Sequence, residues 1–73
     1  MKAQFRPVRS RSPRGWTYGI AGVERAEDGR AVRWALLPNV TEDPLTAAWL
    51  ARRCNETHLP LDQLFLAAYG ALP

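Results

Sequence analysis

Two segments with alternating side chains, joined by a short turn, most constrain the fold of this chain. The segments GWTYGIAGVER and RAVRWALL each place a large apolar residue at every second position: Trp16, Tyr18, Ile20, Val32, Trp34 and Leu36. A two-residue period is typical of a β-strand with one buried face. Asp28 and Gly29, between the segments, are residues that favour a hairpin turn. The sequence therefore predicts an antiparallel β-hairpin.

The type of turn decides which side chains share a face of this hairpin. A two-residue turn centred on the Asp-Gly pair would place the two large apolar sets on opposite faces. A type I turn with Gly29 as a left-handed bulge residue pairs Ala26 with Arg30 and unites both sets on one face. Burial of one coherent face favours the bulged turn, which also places Gly22 opposite Trp34.

Two helices are predicted after the hairpin. Thr41 is expected to cap the first helix, with Pro44 in its first turn and Asn55 as its C-cap. Its buried stripe is predicted to contain Ala47, Leu50, Ala51 and Cys54, widened by Leu45 and Trp49. The second helix is expected to begin near Pro60 and end near Gly70. Its apolar face comprises Leu61, Leu64, Phe65, Ala68, Tyr69 and Leu72.

The positive charge of the chain is concentrated at the N-terminus. The first fifteen residues carry five cations and no acid, whereas the remaining 58 carry five arginines and seven acids. We predict that residues 1–14 form a basic, mobile arm and that residues 15–73 form a single domain. In an alternative interpretation, the stretch AQFRPV pairs with the edge of the sheet as a short strand.

These elements predict a small α+β domain of ββαα order, in which the hairpin, extended by an N-terminal strand in the alternative, packs against two C-terminal helices. The opposite face of the hairpin would then be small and apolar, and so poorly suited to solvent. We expect a second copy, the arm or a partner protein to cover it. This predicted interface face comprises Thr17, Gly19, Ala21, Val23, Ala31, Arg33, Ala35 and Leu37.

Cys54 and His58 are the only cysteine and histidine of the chain. A structural zinc site needs about four ligands and a catalytic one about three, so two residues are too few within one copy. Cys54 lies on the apolar stripe of the first helix, where a free cysteine commonly packs as a small hydrophobe. A thiol or zinc function at Cys54 and His58 is therefore a minor alternative. The stretch RRCNETHLPLD is predicted to end one helix and begin the next.

Nucleic-acid binding is the second hypothesis for function. Its candidate residues are the spaced arginines of the arm, which can pair with phosphates: Arg6, Arg9, Arg11 and Arg14. The aromatic residues of the hairpin resemble a base-stacking platform, but the two helices need that face for burial. We therefore favour a solubilising role for the arm. Binding of the arm to a nucleic acid or to an acidic protein surface is the alternative.

The location of the protein can be predicted from what the chain lacks. A single cysteine forms no internal disulfide, which favours a reducing, cytoplasmic setting. The N-terminus has no apolar core of a secretory signal, and no segment approaches the roughly 20 apolar residues that span a bilayer. We expect a cytoplasmic protein that does not act at a membrane.

A family resemblance is carried by four motifs: TYGI in the first strand, NVTED before a helix, LARRCN at its end and LPLDQL at the start of the last helix. In these motifs, over residues 17 to 72, the chain resembles a family of short uncharacterised bacterial proteins found mainly in Firmicutes. The arginine-rich N-terminus and the proline at the helix start depart from the pattern of that family. The resemblance implies a small cytoplasmic domain and supplies no catalytic residue.

The function predicted from the sequence is that of a non-catalytic protein-interaction module or regulator. A chain of 73 residues has a small core, and self-association as a homodimer would add buried surface. We expect no enzyme activity and no cofactor, because no set of catalytic residues is recognisable. An inhibitor encoded by a phage or another mobile element, which occupies the surface of a host complex, would match this description.

Overall fold

Three antiparallel strands form one sheet, and two helices follow them in the chain. The computed structural model describes the backbone of residues 2–71 and the side chains of residues 2–68. The elements are β1 (Lys2–Ser12), β2 (Gly15–Arg25), β3 (Ala31–Thr41), α1 (Pro44–Glu56), a 3₁₀ turn (Leu61–Gln63) and α2 (Leu64–Ala71). The strand order in the sheet is β1-β2-β3. The predicted α+β class, with a sheet followed by two helices, is confirmed.

The N-terminal residues belong to the sheet. β1 pairs with β2 along its whole length, from Lys2 opposite Arg25 to Ser12 opposite Gly15. Residues 2–12 therefore do not form an arm outside the domain, and the strand is longer than the alternative AQFRPV segment. The anchor of β1 is Phe5, which is buried in the core. One large apolar side chain and a continuous backbone ladder hold this arginine-rich segment in place.

The hairpin turn between β2 and β3 has the predicted geometry. The amide of Gly29 donates to the carbonyl of Ala26, the amide of Ala26 donates to the carbonyl of Arg30, and Gly29 has a φ of 86°. This is a turn closed by a glycine in the left-handed region, which a residue with a Cβ adopts at a cost. The bulged turn is confirmed.

A second bulge, which the sequence analysis did not predict, follows the turn. Arg25 pairs with Ala31 whereas Glu24 pairs with Arg33, so Val32 is an extra residue on β3. An extra residue reverses the face on which every later side chain of the strand lies.

Because of this reversal, the side chains of β3 after Val32 lie on the opposite faces of the sheet from those predicted. Trp34 lies opposite Val23, and Gly22 lies opposite Ala35 instead of Trp34. The predicted burial of Trp34 and Leu36 is wrong, since their residues are 77% and 55% exposed.

The N-cap of the first helix lies two residues after the predicted cap. The N-cap is Asp43, whose Oδ1 accepts a hydrogen bond of 3.1 Å from the amide of Leu45. Thr41 was the predicted cap, but its hydroxyl accepts from the amide of Asp43 and so orders the approach to the helix. The predicted stripe is confirmed, with four buried residues: Ala47, Leu50, Ala51 and Cys54. The predicted widening of this stripe is wrong, because Leu45 and Trp49 are exposed.

The second helical segment starts with a 3₁₀ turn before α2. Leu61, Leu64 and Ala68 are buried as predicted, whereas Phe65 is exposed. The backbone stays helical through Gly70 to Ala71, so Gly70 does not end the helix. The predicted roles of the Tyr69 side chain and of Leu72 lie outside the described residues.

The core lies between the helices and one face of the sheet. It is formed by seven buried residues: Phe5, Ile20, Leu50, Ala51, Cys54, Leu61 and Leu64. Ala35 and Leu37 of β3 pack against this cluster, where Trp34 and Leu36 had been predicted. We call this side of the sheet the covered face and the other side the open face.

Candidate functional site

The centre of the open face is apolar and accessible. Trp34 and Leu36 lie side by side along β3, and the half-buried Ala21 and Val23 lie beside them on β2. None of these four residues belongs to the core cluster or to the residues that pack against it. An indole that is three-quarters exposed on a sheet face is unusual in a monomer and often marks a contact surface.

The charges on the open face have one sign. The alternation of the strands places Lys2 and Arg6 of β1 and Arg25 of β2 on this side. Among the described strand residues of this face there is no acidic side chain. Glu24 lies on the covered face, and Glu27 and Asp28 lie in the turn. The charged residues that border the apolar centre on the described strands are therefore all cations.

A broad hollow of about 870 Å³ adjoins this centre. Its lining includes Trp34, Leu36 and Val23 as well as the three cations of the open face. Asn55 and His58 line it from the end of α1. The hollow therefore combines apolar and cationic walls.

The predicted interface face is divided between the two sides of the sheet. Thr17, Ala21 and Val23 lie on the open side as predicted, whereas Arg33, Ala35 and Leu37 lie on the covered side because of the Val32 bulge. Gly19 is buried where β3 passes close to it. A Cβ at Gly19 would collide with the backbone carbonyl oxygen of Leu37. The prediction that these residues share one face is therefore wrong. On β3, Trp34 and Leu36 lie on the open face in place of Arg33, Ala35 and Leu37.

The four arginines proposed to bind nucleic acid are not brought together. Arg6 is on the open face, and Arg14 lies in the turn between β1 and β2. The guanidinium carbons of Arg9 and Arg11 lie 4.4 and 5.4 Å from the ring centroid of Trp16, on the opposite side of the sheet. These cation–π contacts cover a Trp16 ring that was predicted to be core but is 43% exposed.

The end of α1 explains the arrangement around the cysteine and the histidine. The amide of Leu59 donates to the carbonyl of Cys54, and the amide of His58 donates to the carbonyl of Asn55. His58 has a φ of 53°, so it is the left-handed residue of a Schellman motif. The helix ends within the predicted stretch, but the predicted C-cap is wrong, because α1 continues through Glu56 and its C-cap is Thr57 instead of Asn55.

Cys54 points into the core at this helix end. Burial raises the pKa of its thiol, because the apolar surroundings disfavour the thiolate. His58 is exposed. In residues 2–68, no group of three or more histidine, cysteine, aspartate or glutamate side chains is placed to hold a metal ion. The local geometry supports a packing role for Cys54 and a backbone role for His58.

Asn55 has a tertiary contact that the sequence did not reveal. Its Oδ1 accepts from the amide of Phe5 and its Nδ2 donates to the carbonyl of Phe5, both at 2.8 Å. Glu24 and Arg33 form a second long-distance polar contact, with the Arg33 Nε 2.8 Å from the Glu24 Oε1. The hydrogen bonds from Arg33 lower the pKa of the Glu24 carboxyl. No local motif marks the Asn55 contact, whereas the opposite charges of Glu24 and Arg33 on the two strands of the predicted hairpin already favoured an ion pair between them.

The helical side of the domain carries exposed apolar side chains as well. Leu45 and Trp49 of α1 and Leu66 of α2 are 78%, 46% and 70% exposed. In the part of the chain that the structure describes, no helix is both long enough and apolar enough to cross a membrane. These side chains provide a reference surface against which the open face can be tested.

Comparisons with known proteins add no assignment to this geometry. No family model, curated protein or solved structure matches the chain. The functional inference therefore rests on the exposed residues, their charges and the register of the sheet.

Proposed function

We propose that the protein is a non-catalytic interaction module that binds an acidic protein partner through the open face. The observation that carries this proposal is the exposure of Trp34 and Leu36 on a face whose charged strand residues, among those described, are all cations. Tryptophan and arginine are enriched among the residues that dominate binding energy at protein interfaces. The complementary partner would present an apolar patch edged by aspartate and glutamate.

A protein partner is favoured over a nucleic acid by the aromatic residues available. Stacking platforms for single strands use two or three aromatic side chains on one open sheet face. Here Trp34 is the sole aromatic among the described strand residues of the open face, and its neighbours Leu36, Val23 and Ala21 are aliphatic. Aliphatic neighbours fit an apolar protein surface better than a row of bases.

The proposal is tested by comparing two tryptophans. Proteins captured by the wild-type chain from cells that express it would be titrated against the Trp34→Ala variant and against Trp49→Ala, which alters the helical side. Truncating a central anchor residue costs at least about 2 kcal/mol, so we expect Trp34→Ala to weaken binding about 30-fold. Trp49→Ala should bind like the wild type. Amide chemical shifts should change on the open face.

Charge reversal provides the second part of the test. Arg6→Glu should slow association and reduce its dependence on salt, because steering of an acidic partner is electrostatic. Equal losses for the two tryptophan variants, or shift changes confined to α1 and α2, would contradict the proposal. Binding of an oligonucleotide by the wild type, weakened by Arg6→Glu and falling steeply with salt, would instead favour the nucleic-acid hypothesis.

A further inference from the structure

The two edges of the sheet differ in whether their backbone groups are already occupied. On β1, the side-chain amide of Asn55 satisfies both the N–H and the C=O of Phe5. Pro7 is the next residue that faces the same way, and it has no N–H to offer. A side-chain amide and a proline thus block strand addition at the centre of the β1 edge.

The same contact determines which groups of β3 face outward. Because the N–H and C=O of Phe5 point away from β2, Phe5 and Gly22 form a non-hydrogen-bonded pair of the ladder. The backbone groups of Gly22 must then point to its other partner, Ala35. Alternation along β3 directs the N–H and C=O of Trp34 and Leu36 to the free edge.

None of the described residues protects the β3 edge as Asn55 protects the β1 edge. No side chain or loop of the described residues bonds to the outward groups of Trp34 or Leu36. The regular part of this edge runs from Arg33 to Leu37, between the Val32 bulge and Pro38. An edge of this kind, with unpaired backbone groups and exposed apolar side chains, is a template for another strand.

We propose that β3 pairs antiparallel with β3 of a second copy, about a two-fold axis at Ala35, to form a continuous six-stranded sheet. In this register Trp34 exchanges backbone hydrogen bonds with Leu36 of the partner subunit. The two side chains become cross-strand neighbours on the open face, where an aromatic and an aliphatic residue stabilise each other. Both are largely exposed in the single chain.

The charges along β3 and the blocked β1 edge both favour a second copy of the chain as the partner of the β3 edge. The only charged residue from Arg33 to Leu37 is Arg33, which is paired with Glu24 and would lie opposite Leu37 of the partner subunit. No like charges therefore meet across the axis. Pairing of β3 with β3 occupies the free edge of both copies. Because the β1 edge is blocked, no further copy can add, and the result is a closed dimer instead of a fibre.

The dimer uses the backbone edge of β3 and the proposed partner uses the side chains of the open face, so the two inferences share Trp34 and Leu36 but neither rests on the other. Pairing through the edge leaves the open face accessible and joins the two copies of it into one continuous face. A chain that remains monomeric but still binds an acidic protein through Trp34 would overturn the dimer and retain the proposed function. A chain that dimerises through β3 but binds no acidic protein would retain the dimer and overturn the proposed function.

The experiment is a measurement of solution mass and amide exchange on the full chain. A small edge-to-edge interface predicts a dissociation constant on the order of 10 µM, so the mass should rise from 8.2 kDa to twice that value with concentration. Exchange of the Trp34 and Leu36 amides should slow roughly tenfold over the same range. The Ala35 amide, which faces β2, should be slow throughout.

A proline substitution isolates the backbone contribution. Leu36→Pro removes the outward N–H on an edge strand, a position that tolerates proline, whereas Leu36→Ala shortens the side chain and keeps the N–H. We expect Leu36→Pro to stay at 8.2 kDa and Leu36→Ala to dimerise, with circular dichroism confirming that both are folded. If Leu36→Pro does not fold, the wild-type amide exchange decides.

Three results would overturn the edge pairing. The first is a wild-type chain that stays at 8.2 kDa up to about 1 mM, a hundred times the expected dissociation constant. The second is a folded Leu36→Pro variant that dimerises like the wild type. The third is a dimer in which the Trp34 and Leu36 amides still exchange rapidly, which would place the contact on the helical side or on the open face itself.

Discussion

The two faces of the sheet have opposite distributions of side-chain size. The covered face is built on Phe5 and Ile20, which are almost fully buried, together with the smaller Ala35. The open face carries Trp34, one of the largest side chains of the chain, with Leu36 beside it. Size and hydrophobicity alone therefore do not decide which face of a strand enters a core.

The helix that packs on the covered face accounts for this difference. The buried stripe of α1 contains the small residues Ala47, Ala51 and Cys54, with Leu50 as its only large member. A stripe of small side chains lets a helix approach the sheet closely, so the space between them is shallow. The indole of Trp34 would overfill that space, whereas Ala35 fits it.

The Val32 bulge selects between these arrangements, and the largest predicted effect follows from it. Deleting Val32 removes the extra residue and keeps Ala35 and Leu37 on the covered face. We expect this variant to lose less than about 1 kcal/mol of unfolding free energy. Deleting Ala35 instead moves Leu36 against Gly22 and should cost more than about 3 kcal/mol, which approaches the stability of so small a domain.

Urea unfolding of the two deletion variants measures this difference. In a hairpin without the second bulge, removal of Val32 would carry Trp34 and Leu36 from the core to the solvent and would be severely destabilising. A large loss for the Val32 deletion would therefore contradict the register. A similar small loss for both deletions would show that the faces are interchangeable, and the comparison between them would fail.

Single truncations provide the next largest contrast. Ile20 is 1% exposed, and Ile20→Ala should reduce the free energy of unfolding by about 2–5 kcal/mol through lost burial and a residual cavity. Trp34→Ala should change it by no more than about 0.5 kcal/mol, because an exposed side chain has little packing to lose. Urea midpoints would be compared at a concentration low enough to keep the chain monomeric. Equal losses would mean that Trp34 is part of the core.

Much of the covered side could be predicted from the sequence. The helical period of Ala47, Leu50, Ala51 and Cys54 identifies the buried stripe of α1 directly. The glycine at position 29 identifies the bulged turn, because few residues other than glycine adopt its conformation readily. Both features are local, so the information needed to infer them lies within a few residues.

The open side could not be predicted in the same way. Val32 is an ordinary strand residue, and no local signal distinguishes a bulged valine from a regular one. The attachment of β1 depends on Phe5 and on Asn55, which are fifty positions apart. The small side chains of α1 were a usable signal, since they require a shallow covered face and so argue against a buried Trp34.

The smallest predicted effect concerns the Glu24–Arg33 ion pair, which lies on the covered side only because of the Val32 bulge. The hydrogen bonds from Arg33 place the pKa of Glu24 below its ordinary value. Since this pKa is lower in the folded state than in the unfolded state, the pair stabilises the fold fully above the unfolded pKa. The stabilisation is lost as the pH falls through the folded pKa.

We therefore expect Glu24→Gln to be less stable than the wild type at neutral pH, and the two to converge as the pH falls below about 4. The difference should be small, because the Arg33 side chain is 57% exposed and its charge is screened by solvent. Urea unfolding of both chains across this range provides the measurement. A difference that is the same at every pH would place Arg33 away from Glu24. That position is the one Arg33 would have without the bulge, and the assignment of the two faces would then have to be reversed.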